Sequence, residues 1–265
     1  MTKYLIVCLV FLLASSCMNG APEKKIKAIN KDTLAYVYKT FKRRAADCKN
    51  KPDSVCTVVK FKYPFFNDQR QLNYTVKRKL MTMFQLYQKR DTSLAQVAEH
   101  FLTSYDKDKQ VRSYPVPYTL NCYARVLRQD SCITTIETGG IVFSGGAHPL
   151  SHTGFINWNT KKHRSITLID LIDPGNIEKL KSIAEGIFRK NEKLSDTASL
   201  ANGYFFRNNV FSLNRNYLIS PVGIRFLYNQ YEIKPYVAGV TQLLVPWSKI
   251  KPLLRPETIA AQYIK

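Results

Sequence analysis

Two histidines stand close together in a segment whose side chains are typical of metal and catalytic sites. The segment is VFSGGAHPLSHTGFINWNT, residues 142–160, and it contains His148 and His152. A zinc or iron ion needs at least three converging ligands. The glycines and proline beside His148 disfavour a helix, and on a strand the two histidines would be about 13 Å apart. Because no Asp or Glu lies between residues 138 and 164, we expect neither a metal ion nor another cofactor.

Nucleophilic catalysis requires a base beside an activated serine or cysteine. Ser144 and Ser151 flank His148, but the stretch lacks the G-x-S-x-G pattern of a nucleophile elbow. The spacing of the acids also selects no carboxylate pair for glycan hydrolysis. We therefore predict no catalytic residue and a protein that is not an enzyme, with a cell-wall hydrolase as the alternative. The glycine-rich turn is then structural, and His148 and His152 are kept as candidates for contact with a ligand.

The net charge is the strongest indication of a partner. The chain has 265 residues, with 40 Lys or Arg against 19 Asp or Glu, which gives a net charge of +21. Such a charge favours anionic partners. For an exported protein these are an anionic envelope polymer, lipid headgroups or a protein partner, and nucleic acid is not expected. The first candidate surface is a face of a predicted helix with Arg70, Lys77, Arg78 and Lys79; the alternative is that these cations are only solvated.

The N-terminus has the features of an export signal. Residues 1–16 combine a lysine, an apolar run and small residues, as in a secretory signal peptide. The stretch LLASSC resembles a bacterial lipobox, which predicts lipidation at Cys17, a tether over residues 17–31 and a lipid-anchored protein on the periplasmic face or cell surface. Cleavage near Ala21 without lipidation is the alternative. No later apolar run reaches the about 20 residues of a transmembrane helix, so we expect none in the mature protein.

Four cysteines remain beyond this segment: Cys48, Cys56, Cys122 and Cys132. An even number of cysteines in an exported chain suggests two disulfide bonds. Three connectivities are allowed. Local pairing, of Cys48 with Cys56 and of Cys122 with Cys132, is the simplest, because each pair brackets a turn-like stretch.

The apolar pattern predicts an α+β fold of two small subdomains, with antiparallel sheets and packed helices. Alternation around a turn at residues 50–54 predicts a hairpin, and helical periodicity predicts helices within residues 68–91, 92–108 and 175–194. Asp68 is a candidate cap for the first helix. The predicted parts of the chain are the signal peptide 1–16, the tether 17–31, an N-terminal α+β domain 32–150, a C-terminal α+β domain 151–256 and a tail 257–265.

Several short motifs occur in an order that resembles a known domain family. They are Gly145 to His148, Leu168 to Leu171, Tyr231 to Ile233 and Pro235 to Gly239. The chain is similar, over roughly residues 30–255, to an exported bacterial family of unknown function. That family is typified by the extracellular region of RsiV-type lysozyme-sensing anti-sigma factors.

This resemblance implies the fold of the C-terminal domain and a setting in the cell envelope. We expect neither the transmembrane part nor the sigma-binding part of those sensors in this chain, and therefore no anti-sigma factor. The resemblance also implies lysozyme as an alternative partner, in a sensor or defence module. Because lysozyme is itself basic, the net charge of +21 disfavours this partner.

Overall fold

The computed structural model describes residues 34–84, 86, 91–114, 116–130 and 132–264. Asp32–Lys265 form one compact unit. The predicted signal peptide, the lipidation site Cys17 and the tether lie outside the described residues. In the part of the chain that the structure covers, no helix combines the length and the apolar character needed to cross a bilayer.

The larger sheet has six strands in the order β1-β2-β3-β4-β5-β6. Their bounds are β1 Tyr36–Arg44, β2 Val58–Phe66, β3 Thr119–Gln129, β4 Ile133–Phe143, β5 Leu150–Asn159 and β6 Arg164–Ser165. Neighbouring strands are antiparallel, as predicted, except that β2 and β3 run parallel. This pair departs from the prediction because the chain between β2 and β3 forms helices that return it to the same end of the sheet.

Those two helices, α1 Arg70–Met81 and α2 Leu94–Val111, pack on one face of the larger sheet. Their apolar stripes meet alternate residues of the strands, because side chains on a strand alternate between its two faces. The first core that results includes Phe61, Phe66, Leu72, Val76, Phe101, Leu120 and Ile136, all of them almost fully buried.

The helix α1 is shorter than the apolar pattern predicts. It begins after Gln69 without a side-chain cap, and the predicted cap, Asp68, stands one residue too early in a left-handed conformation with φ of 55°. It ends at Met81, where the Thr82 hydroxyl donates a 3.0 Å hydrogen bond to the carbonyl of Arg78. The Thr82 N–H donates to the same carbonyl at 3.1 Å, and the backbone of Thr82 leaves the helical region with φ of -98° and ψ of 4°.

The smaller sheet has three antiparallel strands in the order β7-β8-β9. The bounds of this part are α3 Ile177–Asn191, β7 Tyr217–Ser220, β8 Gly223–Tyr228, β9 Thr241–Pro246 and α4 Trp247–Ile250. One face of α3 packs against β9. Leu180, Ala184 and Phe188 from that face enter a second core with Ile224 and Phe226. Two sheets with packed helices confirm the α+β class.

Side-chain amides connect the two sheets. Asn216 and Asn229 hydrogen-bond the edge of β5 that does not pair with β4. The N–H of Thr153 donates to Asn229 Oδ1 at 2.7 Å, and that of Phe155 donates to Asn216 Oδ1 at 3.1 Å. The Thr153 carbonyl accepts from Nδ2 of both asparagines. The amides therefore replace the backbone groups of a further strand. The predicted boundary at residue 150 coincides with the start of β5, which pairs with β4 across that boundary.

The Cys48–Cys56 disulfide closes the β1–β2 hairpin, as predicted. The predicted pairing of Cys122 with Cys132 is wrong, because the structure has no disulfide there. Cys122 lies opposite Gly140, whereas Cys132 follows the far end of β3. The residues of β3 that follow Cys122 lie between the two cysteines, and each adds about 3.3 Å along the strand. The two Cα atoms are therefore farther apart than the about 7 Å that a disulfide allows. Burial raises the pKa of the Cys122 thiol to about 12, so this thiol is unreactive.

Replacing both Cys48 and Cys56 with serine is expected to lower the free energy of unfolding by about 2–3 kcal/mol. The disulfide closes a short loop, and in the chain-entropy account its loss restores freedom to the unfolded chain. Urea unfolding with and without a reducing agent measures the effect. The variant is expected to be insensitive to reductant, whereas a Cys122→Ala variant is expected to remain sensitive. Equal stability of wild type and double variant would contradict the prediction.

Candidate binding surface

The helices α1 and α2 cover only one face of the larger sheet. On the other face, alternate residues of β1, β2 and β3 reach solvent. The register places Lys42 opposite Lys60, and Lys60 opposite Asn121. In the next row Lys62 stands opposite Tyr123. The tyrosine is half-buried and the other four side chains are exposed. We call this surface the open sheet face, and its members are Tyr38, Lys42, Lys60, Lys62, Asn121, Tyr123 and Arg125.

Tyr123 lies against a glycine of the neighbouring strand. The register places Gly139 opposite Tyr123, and a Cβ atom at Gly139 would lie 2.5 Å from atoms of the tyrosine ring. The phenol donates a 2.8 Å hydrogen bond to Glu137. Glycine is therefore required at this position for the ring to approach the backbone, and the ring is held at the surface of the sheet beside Lys62.

Cations and aromatic rings are neighbours on the open sheet face. The Lys62 ammonium is 5.4 Å from the centre of the Tyr38 ring, and the Arg125 guanidinium is 5.8 Å from the centre of the Tyr123 ring. Both distances are within the range of cation–π interactions. Rings beside cations can stack on the flat groups of a polymer while the cations neutralise its anionic groups.

One acid at the edge of this face is already neutralised. Asp53 forms salt bridges with Lys42 and Arg44. The hydrogen bond from Lys42 holds the pKa of the Asp53 carboxyl below its usual value, against the opposing effect of burial. Asp53 therefore stays ionised at neutral pH and offsets part of the charge of these two cations.

The second acid is neutralised as well. Glu137 forms a 2.9 Å salt bridge with Arg125, in addition to its hydrogen bond from Tyr123. Lys60 and Lys62, by contrast, form no salt bridge with any residue that the structure describes. The open sheet face therefore carries a net positive charge that is centred on these two lysines.

The structure does not bring the four predicted cations of α1 onto one surface. Arg70 and Arg78 are exposed. Lys77 lies on the flank facing β2, with its ammonium 6.0 Å from the ring of a β2 tyrosine. Lys79 lies on the opposite flank, against Gly154 of β5. Residues two apart on a helix point about 200° apart, so Lys77 and Lys79 cannot share a face.

His148 lies in the turn before β5 and contacts two tyrosines of the loop after β8. Its ring stacks on that of Tyr236 with centres 3.9 Å apart and planes at 23°. The Nε2 atom is 3.3 Å from the Tyr231 hydroxyl, and the Nδ1 atom is 3.1 Å from the carbonyl oxygen of Pro149. These contacts hold the turn against the loop, as the structural interpretation of the glycine-rich turn requires.

His152 points to the face of the sheet that α1 covers, so the two predicted histidines do not meet. Burial, and to a lesser extent the charge of Lys79, lowers the pKa of His152 to about 4. The ring of Phe84 lies edge-on to it, with centres 6.4 Å apart. Over the described ranges, no three His, Cys, Asp or Glu side chains come together in a group that could hold a metal ion.

The open sheet face was not predicted from the sequence, although its central lysines lie in a stretch used to predict a strand. The alternation in TVVKFKY already places Lys60 and Lys62 on one side of β2. Their neighbours Tyr123 and Arg125 belong to β3, a strand that lies two helices later in the chain. Only the parallel register of β2 and β3 brings these residues together.

Part of the chain matches a family model. Residues 169–248 match the family described as protein of unknown function (DUF3298). This match bears out the resemblance as far as a domain family of unknown function, and the relation to lysozyme sensors stays a prediction. No curated protein matches the sequence.

Solved structures share the fold over most of the chain. A DUF3298 family protein from Pseudomonas aeruginosa PAO1 superposes with a TM-score of 0.68 at 23% identity, covering 85% of this chain and 96% of that chain. A member of the same family from Bacteroides fragilis NCTC 9343 superposes with a TM-score of 0.66 at 17% identity, covering 88% and 99%. At these identities the likeness concerns the fold alone.

Proposed function

We propose that the protein is an exported, non-catalytic binding module that captures an anionic polymer of the cell envelope on its open sheet face. The observation that carries this proposal is the pair of exposed lysines, Lys60 and Lys62, on one side of β2, with Lys62 beside the rings of Tyr38 and Tyr123. The two acids nearby, Asp53 and Glu137, already have basic partners.

The spacing of the cations favours a polymer with regularly placed charges. Lys42 and Lys60 stand opposite each other on neighbouring strands, where Cβ atoms are about 5 Å apart. Lys60 and Lys62 are two residues apart on one strand, a distance of about 7 Å. A polysaccharide whose sugars carry carboxylates or phosphates offers anionic groups for the lysines and the C–H faces of its sugar rings for the tyrosines.

The proposal that the protein is exported is supported by the Cys48–Cys56 disulfide, because such bonds persist mainly in oxidising compartments. The signal-like residues 1–16 support it independently. Lipidation of Cys17 would then hold the binding module at the membrane surface, close to envelope polymers.

Salt-dependent capture tests this function. The purified protein is incubated with a uronic-acid polysaccharide, isolated peptidoglycan, anionic lipid vesicles or lysozyme at rising ionic strength. We expect capture by the polysaccharide that fades as the Debye length falls from about 10 Å at 0.1 M salt to about 3 Å at 1 M. Preferential capture by vesicles would make lipid headgroups the ligand. Salt-resistant capture of lysozyme, or no binding at all, would contradict the proposal.

A further inference from the structure

A cavity of about 580 Å³ opens between the end of α1, the start of β5 and the loop after β8. Its lining consists of Lys79, Thr82, Met83, Phe84, His152 and Glu232. His152 projects from the helix-covered face of the larger sheet, opposite to the open sheet face. The cavity is thus separate from the surface assigned to the envelope polymer, and an inference about it does not rest on that function.

Lys79 lies against β5 at this cavity. A Cβ atom at Gly154 would be 2.8 Å from Cε and 3.4 Å from Nζ of Lys79, so a side chain at position 154 would push the lysine away. Among the described residues Lys79 has no hydrogen bond and no salt bridge, and the one charge that raises its pKa is that of Glu232. Burial lowers the pKa of Lys79, and this effect is larger than the rise caused by Glu232.

Two further polar atoms beside Lys79 also lack partners. His152 Nδ1 and Thr138 Oγ1 are buried and form no hydrogen bond. Thr138 lies opposite Gly154 across the β4–β5 pair, with its hydroxyl 3.1 Å from the position of a Cβ atom at Gly154. Buried polar groups are normally satisfied by protein or ordered water, so unpaired atoms beside one ammonium require an explanation, and a bound polar ligand supplies one.

We propose that this cavity binds the carboxylate of a small, partly apolar organic acid, with the carboxylate on Lys79 and the apolar part on Met83 and Phe84. A carboxylate offers the acceptor oxygens that the ammonium lacks. It would also favour the charged form of a lysine that burial disfavours.

Glu232 restricts the charge of the ligand. Its Oε1 atom accepts a 2.7 Å hydrogen bond from Asn214 Nδ2, and its Oε2 atom accepts a 2.8 Å hydrogen bond from the N–H of Asn229. The carboxylate of Glu232 is therefore fixed at the wall of the cavity, where it repels negative charge on a ligand, and a dianion more strongly than a monoanion. His152, whose pKa is about 4, adds no compensating charge at neutral pH. A monocarboxylate consequently fits this cavity better than phosphate does.

Isothermal titration calorimetry at pH 7 with 4-methylpentanoate, and separately with inorganic phosphate, tests the inference. We expect 4-methylpentanoate to bind the wild-type protein more tightly than phosphate does. Lys79→Met and Gly154→Ala are each expected to weaken binding at least about tenfold. Lys77→Met, on the other flank of the same helix, is the matched control and is expected to bind within about twofold of the wild type.

Three results would overturn the inference: no binding of 4-methylpentanoate, equal or tighter binding of phosphate, or unchanged binding by Lys79→Met. Gly154→Ala keeps every polar group and displaces chiefly the end of Lys79, with a smaller displacement of the Thr138 hydroxyl. A urea unfolding curve of this variant like that of the wild type separates loss of the lysine position from loss of fold. Capture of the envelope polymer is expected to be unchanged in both variants, so the two functions can fail independently.

Discussion

Replacing Lys60 and Lys62 with glutamate is expected to reduce capture of an anionic polysaccharide at least about tenfold at 0.1 M salt. Both lysines are exposed and have no salt bridge among the described residues, so their charge is available to a ligand. Reversing the charge of both residues replaces two attractions for the anionic groups of the polysaccharide with two repulsions, at the centre of the open sheet face. Co-sedimentation of the protein with the polysaccharide over a range of concentrations measures the change in affinity.

The control for this prediction changes the same charge elsewhere. Lys179 and Lys190 are exposed residues of α3, which packs against the smaller sheet. Replacing these two with glutamate lowers the net charge by four, from +21 to 21 − 4 = +17, as the first pair of substitutions does. We expect this variant to retain nearly all capture. Equal losses in the two variants would show that only the overall charge matters, and would refute a specific face.

Asn157→Ala is expected to lower the free energy of unfolding by about 2–4 kcal/mol. Asn157 is 5% exposed. Its Nδ2 donates to the Tyr217 carbonyl at 2.8 Å, and its Oδ1 accepts from the Ile219 N–H at 2.9 Å. Alanine leaves a buried donor and a buried acceptor unsatisfied, each at a cost of about 1–3 kcal/mol. Both hydrogen-bond partners of Asn157 lie on β7, so the substitution removes hydrogen bonds that join the larger sheet to the smaller one.

Urea unfolding of the variant measures this cost. The matched control is Asn121→Ala, at an exposed position of the open sheet face, which is expected to change the free energy of unfolding by less than about 0.5 kcal/mol. If the two variants were equally stable, the amide of Asn157 would not hold the sheets together, and apolar contacts alone would have to do so.

The local elements of this fold could be predicted because their causes are local. Turn residues between alternating flanks predict the β1–β2 hairpin. Cys48 and Cys56 stand on either side of this turn, which predicts the disulfide between them. The helix α3 follows from apolar residues at helical spacing. The end of α1 was missed because the backbone leaves the helical conformation at Thr82, although apolar residues continue at helical spacing beyond it.

The arrangement of the candidate site could not be predicted, because it depends on contacts between distant segments. Lys77 and Lys79 are neighbours in sequence, yet they lie on opposite flanks of α1. Helix periodicity alone separates these two side chains by about 200°, but which flank faces β2 and which faces β5 depends on where α1 packs on the sheet. His148 and His152 also lie apart. His148 stacks on Tyr236, whereas His152 belongs to β5 and points to the helix-covered face of the larger sheet. The parallel pairing of β2 with β3, which assembles the open sheet face, also needs both helices in place.

The central claim is that the open sheet face binds an anionic polymer, and chemical-shift mapping tests it most directly. A uronic-acid oligosaccharide is titrated into ¹⁵N-labelled protein at low salt, and backbone amide shifts are followed. The account predicts the largest changes at Lys42, Lys60, Lys62 and Tyr123, reversed by added salt. Changes centred instead on Arg70 and Arg78 of α1, or on α3, with β1–β3 unaffected, would contradict it.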